Sequence, residues 1–179
     1  MATKTWPFEM ISPLIRRCRA GKAAIVVVLH PGDDAPKASL AAAEELLRGE
    51  KIRTFRTRLA DLAPNPVPGM ILMARTGIDA FSVVCDPATV QKDSGAVVNA
   101  LNIHRNTYAG EGMCAVFWIP SYIFGEFADH ASNFLDFRNR FMEIGLDGLP
   151  LNPGDPAPKF FVPPPPRDTF FRDHKDDIT

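Results

Sequence analysis

Three runs of almost entirely apolar residues constrain the fold of this chain more than any other feature. They span residues 24–29, 80–85 and 113–119, and they are rich in Val, Ile and Phe without polar alternation. A strand that is apolar on both faces must be covered on both faces, as a central strand of a parallel sheet is. Helical patterns lie between the runs, so the sequence predicts a three-layer α/β sandwich with a mostly parallel sheet.

The segments around these runs complete the predicted order of elements. Apolar residues at helical spacing predict helices over residues 8–20, 39–48, 95–108 and 122–130, and a further helical turn over 133–139. Residues 52–59 predict an edge strand, because their alternation is not cleanly apolar and polar, and residues 140–144 predict a final strand. Three prolines within residues 63–69 predict a loop.

A proline-rich segment follows the predicted sandwich. Eight of the 17 prolines lie between residues 150 and 166, and such a run can continue neither a helix nor a central strand. We therefore expect an α/β domain over residues 1–145 and an extended proline-rich tail over residues 146–179. Apolar and proline residues of the tail are candidate partner-binding residues: Phe160, Phe161, Pro163, Pro164, Phe170 and Phe171. The first phenylalanine pair either packs back on its own domain or binds a second chain.

The segment after the first apolar run stands where an α/β nucleotide-binding protein carries its phosphate loop. That loop has the pattern G-x-x-x-x-G-K-[ST], in which backbone N–H groups and the lysine hold phosphates and the hydroxyl holds Mg²⁺. Here Lys37 comes one residue too early after Gly32, and Pro36, which has no N–H, replaces the second glycine. Ala38 follows the lysine and offers no hydroxyl.

Charge also opposes phosphate binding in this loop. Asp33 and Asp34 place two carboxylates where phosphates would lie, and like charges repel at short range. The residues therefore indicate a phosphate loop that has lost its function. The alternative is an ordinary turn between a strand and a helix, with Ser39 as the helix cap.

Asp86 directly follows the second apolar run, at the place where a carboxylate holds Mg²⁺ in nucleotide-hydrolysing proteins. Pro87 follows it instead of an acidic residue that would polarise water, so a turn aspartate is the alternative. If weak nucleotide binding survived, Lys37, Ser39 and Asp86 would carry it. We predict no bound cofactor.

Other chemistry-bearing residues form no known motif. The histidines lack metal-ligand spacing to one another or to cysteine, so no metal site and no catalytic residue is predicted. Cys18, Cys85 and Cys114 are far apart without a C-x-x-C, and each is predicted to be a small buried hydrophobe. A small-molecule enzyme would need a polar cluster at the strand ends, for which the candidates are His30, Asp33, Asp34 and Asp86. Trp118 is predicted as a core residue whose indole N–H finds one partner.

Residues 101–144 carry a distinctive set of positions on a helix, a strand and a closing helix. These are Leu101, Asn102, Arg105, Trp118, Pro120, Ala131, Asn133, Phe134, Asp136, Arg138, Phe141 and Ile144. In these positions the chain resembles the N-terminal domain of bacterial STAND-related proteins, which tetratricopeptide repeats often follow. The resemblance covers roughly residues 8–144, although within this sequence no such repeat follows Pro166.

The resemblance implies an AAA/STAND-type α/β core. In several such proteins the phosphate loop is degraded and the module serves protein contacts in prokaryotic regulatory and anti-phage systems. Arg138 is expected to pair with a carboxylate such as Asp136 or Glu143.

Composition excludes some classes of binding partner. Twenty basic and 21 acidic residues give a net charge of −1, which argues against nucleic-acid binding, and no apolar run approaches the roughly 18–20 residues of a membrane span. The N-terminus lacks the pattern of a secretory signal, so we expect a cytoplasmic protein. The expected function is a non-catalytic interaction module that binds another protein or a second copy of itself. The alternatives are a nucleotide-responsive switch and a small-molecule enzyme.

Overall fold

Five parallel strands form one sheet in the order β2-β3-β4-β1-β5. The computed structural model describes residues 8–32 and 36–151. In chain order the strands are β1 Ala24–His30, β2 Thr54–Arg58, β3 Ala80–Val84, β4 Cys114–Pro120 and β5 Arg140–Glu143. All three apolar runs form strands, and residues 52–59 form the predicted edge strand. The prediction of an α/β fold around a parallel sheet is confirmed.

Seven α-helices of the described residues connect and cover the strands. They are α1 Ser12–Arg19, α2 Pro36–Gly49, α3 Pro66–Arg75, α4 Pro87–Gln91, α5 Ala96–Ile103, α6 Arg105–Gly110 and α7 Phe124–Leu135. Short 3-10 turns occupy Phe8–Met10, Leu59–Leu62, Lys92–Gly95 and Ser121–Ile123.

The two central strands are buried on both faces. Every residue of β1 and β4 is buried, and side chains alternate between two apolar clusters on opposite sides of the sheet. Val27 belongs to the cluster that contains residues of α3 to α7, whereas Val28 belongs to the cluster that contains residues of α1 and α2. Trp118 of β4 is fully buried, and its indole N–H donates to Ser82 Oγ at 3.0 Å. The predicted core role of Trp118 is confirmed.

The predicted loop over residues 63–69 is wrong in its second half, because α3 begins at Pro66. Pro66 and Pro68 lie in the first turn of this helix, where a backbone N–H has no partner within the helix and a fixed φ favours helix entry. Val67 and Met70 of the same helix are fully buried in the core. Burial of this face therefore supports a helix in a segment whose proline content indicates a loop.

Two helix predictions needed different boundaries. The predicted helix over residues 95–108 is two helices, α5 and α6, which meet at the non-helical backbone of His104 (φ −95°, ψ 16°). Conversely, α7 continues past the predicted end at residue 130 to Leu135, with a kink at Ala131 (φ −125°, ψ 28°). The predicted separate turn over 133–139 is thus partly the end of α7.

The described chain continues beyond residue 145 in contact with the sheet. The backbone N–H of Leu151 donates to Glu143 O at 2.8 Å, and that of Gly145 donates to Leu149 O at 2.9 Å. Residues 152–179, with all six candidate partner-binding residues of the tail, lie outside the described residues, as do Asp33 and Asp34.

Lys51 ends the turn after α2 with a backbone conformation that glycine adopts more easily. Its φ is +61°, its N–H donates to Arg48 O, and the N–H of Ile52 donates to Leu47 O, both at 2.9 Å. This is the Schellman arrangement, in which glycine usually occupies the left-handed position. An L-residue with a β-carbon is strained in this position.

We therefore expect Lys51→Gly to raise the free energy of unfolding by about 0.5–1 kcal/mol, because the relief of strain exceeds the added entropy of the unfolded chain. Urea denaturation at neutral pH measures this. Lys51→Ala is the matched control, since it removes the same charge and keeps the β-carbon, and it should give no increase. Equal stabilisation by both variants would assign the effect to charge and contradict the account.

Candidate functional site

The order of the strands places the candidate site at the carboxyl ends of β1 and β4. These strands are neighbours, yet the chain leaves β1 toward the β2 edge and leaves β4 toward the opposite edge, where β5 lies. In open parallel sheets ligands bind at such a reversal, beyond the carboxyl ends of the strands. The side chains that end β1, β4 and β5 therefore define the site.

Local hydrogen bonds tie the ends of β1 and β4 together. His30, the last residue of β1, is buried, and its Nδ1 donates to Gly32 O at 2.7 Å. Ser121, directly after β4, donates its hydroxyl to His30 O at 3.1 Å and is also buried. Ser121 therefore satisfies a carbonyl of the neighbouring strand.

Lys37 and Ser39 lie in the first turns of α2, after β1. Because α2 begins at Pro36, Ser39 lies inside the helix and does not cap it. Ser39 is buried, and its hydroxyl donates to Gly148 O in the segment after β5. Lys37 is exposed on the opposite side of this turn. The Ser39 hydroxyl is thus buried in the fold, whereas Lys37 is exposed.

Asp86 lies at the end of β3, and β4 separates that strand from β1. Its carboxylate accepts from Arg58 Nε at 3.1 Å and from Thr89 N at 3.3 Å, so it forms an ion pair and caps α4. Burial disfavours its ionisation, but the bonds and charge of Arg58, together with the Thr89 bonds, hold the pKa of the Asp86 carboxyl below its ordinary value. Asp86 is therefore an ionised cap residue with a cationic partner.

Glu143 ends β5 beside β1, opposite Leu29. Its only predicted role is that of a partner for Arg138. Its Oε1 is buried and has no hydrogen-bond partner among residues 8–32 and 36–151. Burial raises the pKa of the Glu143 carboxyl above its ordinary value. Arg138 instead donates to Leu135 O at 2.8 Å, so it closes the end of α7.

Other residues among the distinctive positions of residues 101–144 also form contacts within the fold. The side-chain oxygen of Asn102 accepts from the N–H of Phe134 at 2.9 Å, which joins α5 to α7. Arg105 donates to Asn102 O at 2.9 Å, and the Phe134 ring packs edge-on against Tyr108 and Phe117. These positions stabilise the helical layer over β4.

Two clefts of the described residues lie away from the carboxyl ends of the strands. One, of about 500 Å³, lies between α2 and the edge strand β2 and is lined by Glu44, Arg48, Lys51, Ile52, Arg53, Thr54 and Arg56. Within it Arg56 is paired with Glu44 through two hydrogen bonds. The other, of about 320 Å³, opens beside the amino end of β1 near Arg17, Lys22 and Tyr108.

Comparisons with known proteins assign no family to this chain. No protein-family model matches the chain, and a search of curated proteins finds no match. Within residues 8–32 and 36–151, no group of three or more His, Cys, Asp or Glu side chains could hold a metal ion. In the same part of the chain, no helix has both the length and the apolar character to cross a bilayer.

Sequence reasoning missed two features of this structure. Glu143 gave a weak signal, an acidic residue directly after two apolar residues of a predicted strand. The meeting of Cys18 with Cys114 gave none, because 95 residues separate them in the chain.

The shifted pKa values of Asp86 and Glu143 predict opposite effects of pH on stability. A lowered pKa in the folded state means that ionised Asp86 stabilises the fold above the ordinary pKa of about 3.9, and this contribution is lost as pH falls through the lowered pKa. Asp86→Asn keeps a capping side chain and removes the charge. We expect it to lower stability at pH 7 by at most about 1 kcal/mol, because Arg58 is half exposed. Urea unfolding between pH 3 and pH 7 should show this difference shrink as pH falls below the ordinary pKa.

Glu143→Gln should show the reverse. A raised pKa means that the wild type carries no penalty below the ordinary value of about 4.3 and acquires one as pH rises through the raised pKa. The variant should therefore be more stable than the wild type at pH 7, by up to about 1 kcal/mol, and equal to it near pH 3. A loss of stability at pH 7 would mean that the carboxylate has a favourable partner, and would contradict this description of the site.

Proposed function

We propose that this chain is a non-catalytic protein-interaction module, built on a three-layer α/β core that resembles an inactive STAND NTPase domain. Its partner is another protein or a second copy of the chain, in the cytoplasm of a bacterium, within a regulatory or defence system. The phosphate-loop position of this core no longer binds nucleotide.

One observation carries the proposal: the side chains that would bind magnesium are engaged in the fold. Ser39 is buried and its hydroxyl donates to Gly148 O, and the Asp86 carboxylate is held by Arg58 and Thr89. A magnesium ligand must be reachable by the ion or its waters and must offer them oxygen lone pairs. The guanidinium of Arg58 beside Asp86 would also repel a cation there.

The start of α2 supports the same conclusion. A helix N-terminus binds phosphate through its free backbone N–H groups. Here α2 begins with Pro36, which is buried and has no N–H to donate. The cationic Lys37 remains exposed on this turn, and it is the residue on which residual nucleotide binding would depend.

Calorimetry with ATP, ADP and GTP in the presence of Mg²⁺ tests the proposal on the intact chain. We expect no binding heat up to millimolar nucleotide, and the same result for Lys37→Ala. Circular dichroism on the same samples shows that both proteins are folded.

Micromolar binding by the wild type that Lys37→Ala abolishes would overturn the proposal and favour the nucleotide-responsive switch. Micromolar binding that survives Lys37→Ala would also overturn it, and would place a nucleotide site elsewhere in the chain.

The tail residues distinguish the two kinds of partner. If a second copy is the partner, sedimentation velocity between micromolar and submillimolar concentration should show dimers, and replacing Phe160 and Phe161 together by Ser should weaken association at least tenfold. Leu72→Ser is the matched control, because Leu72 is an apolar residue of α3 that is 63% exposed. A chain that stays monomeric throughout would exclude the second copy and leave another protein as the partner.

A further inference from the structure

Cys18 and Cys114 meet at the amino end of the sheet, although both were predicted as isolated buried hydrophobes. Cys18 lies in the last turn of α1, and Cys114 is the first residue of β4. Cys114 belongs to the apolar cluster on the α1 and α2 side of the sheet, and Cys18 packs against that same cluster. Each thiol lies close enough to the other to change its ionisation.

Backbone contacts fix the end of α1 against the start of β4. Gly112 has φ +65°, and a β-carbon there would lie 2.6 Å from Gly21 O, so only glycine permits this approach. One residue past Gly21, the Lys22 carbonyl oxygen lies 3.3 Å from Cys114 Sγ. The position of Cys114 relative to α1 is therefore set by the main chain.

A separate contact fixes Cys18. Its Sγ donates to Asp79 O at 3.3 Å, and Asp79 directly precedes β3, the strand that pairs with β4. Cys18 thus contacts the residue before β3, and Cys114 begins the neighbouring strand β4. Their proximity depends on the fold and not on a flexible loop.

The two thiols differ in access and in acidity. Cys18 is half-buried, whereas Cys114 is 1% exposed. The neighbouring Cys114 thiol lowers the pKa of the Cys18 thiol below its ordinary value, with a further contribution from Arg19 and against the effects of burial and of the Asp79 carboxylate. The neighbouring Cys18 thiol and burial raise the pKa of Cys114. Cys18 is the reachable, more acidic thiol, and Cys114 is the protected one.

We propose that Cys18 and Cys114 form an oxidation site for hydroperoxides, with Cys18 as the attacking residue and Cys114 as the resolving one. The Cys18 thiolate attacks the terminal peroxide oxygen, which breaks the O–O bond, forms a sulfenic acid and releases water or an alcohol after proton uptake. The Cys114 sulfur then attacks the Cys18 sulfur, a disulfide forms, and the hydroxyl leaves as water with the Cys114 proton.

The product joins α1 covalently to the central strand β4. The net change is the loss of two hydrogen atoms from the protein, which reduce the peroxide to water or to water and an alcohol. A dithiol restores both cysteines by exchange and is itself oxidised to a disulfide.

Cys85 provides the internal control. It is 2% exposed on the opposite side of the sheet, and burial raises the pKa of its thiol. The intact, reduced chain is treated with equimolar hydrogen peroxide, then denatured, alkylated and analysed by mass spectrometry. We expect a monomer with a Cys18–Cys114 peptide cross-link and one alkylatable thiol, Cys85, and reversal by dithiothreitol.

Variants separate the two roles. Cys114→Ala should stop at a sulfenic acid on Cys18 that dimedone traps, while Cys18→Ala should lose thiols at least tenfold more slowly than the wild type. Cys85→Ala should form the disulfide within twofold of the wild-type rate. Circular dichroism identifies any variant that fails to fold, and Cys114→Ser then replaces Cys114→Ala.

Three results would overturn the proposal. One is a wild-type chain whose Cys18 and Cys114 both stay alkylatable after peroxide. Another is oxidation of Cys18 beyond the sulfenic acid, or into an intermolecular disulfide, while Cys114 stays reduced. The third is a Cys18→Ala variant that loses thiols as fast as the wild type.

Discussion

Burial of β1 and β4 on both faces is the constraint on which the rest of this structure depends. Each strand has seven residues, all of them buried, and their side chains alternate between two apolar clusters. Each large apolar side chain contributes roughly 1.5–3 kcal/mol when it is buried fully. Neither face of the sheet can therefore be left open, and α1 and α2 must cover one side while α3 to α7 cover the other.

That arrangement also decides what the polar residues at the strand ends do. Parallel strands bring the chain segments that follow β1, β4 and β5 to one edge, where backbone groups leave the ladder and need other partners. Ser121 binds the carbonyl of His30, and Ser39 binds the carbonyl of Gly148. Hydroxyl groups in a position suited to ligands thus satisfy the main chain, which is why we propose an interaction module and not a nucleotide site.

The sequence was sufficient for the sheet and insufficient for the contacts across it. Apolar runs predict β1, β3 and β4 because burial on both faces leaves a local pattern. The prolines around Pro66 indicate a loop instead of the start of α3, because proline is common both in turns and in the first turn of a helix. The partners of Asp86 and Cys18 could not be predicted. Arg58 and Cys114 are distant from them in the sequence, and only the order of the strands brings each pair together. The sequence predicts a non-functional phosphate loop from the spacing of Lys37, from Pro36 and Ala38, and from two aspartates. The engagement of Ser39 supports that proposal with a contact that no local pattern contains.

Hydrogen exchange followed by mass spectrometry, with and without millimolar ATP and Mg²⁺, gives the most direct test. It asks whether the residues at the carboxyl ends of the strands only stabilise the fold or also bind nucleotide. The account predicts that the segment from His30 to Leu40 and the segment from Cys85 to Gln91 exchange at the same rates under both conditions. Slower exchange of both segments with nucleotide present would show that this edge binds it, and would contradict the central claim.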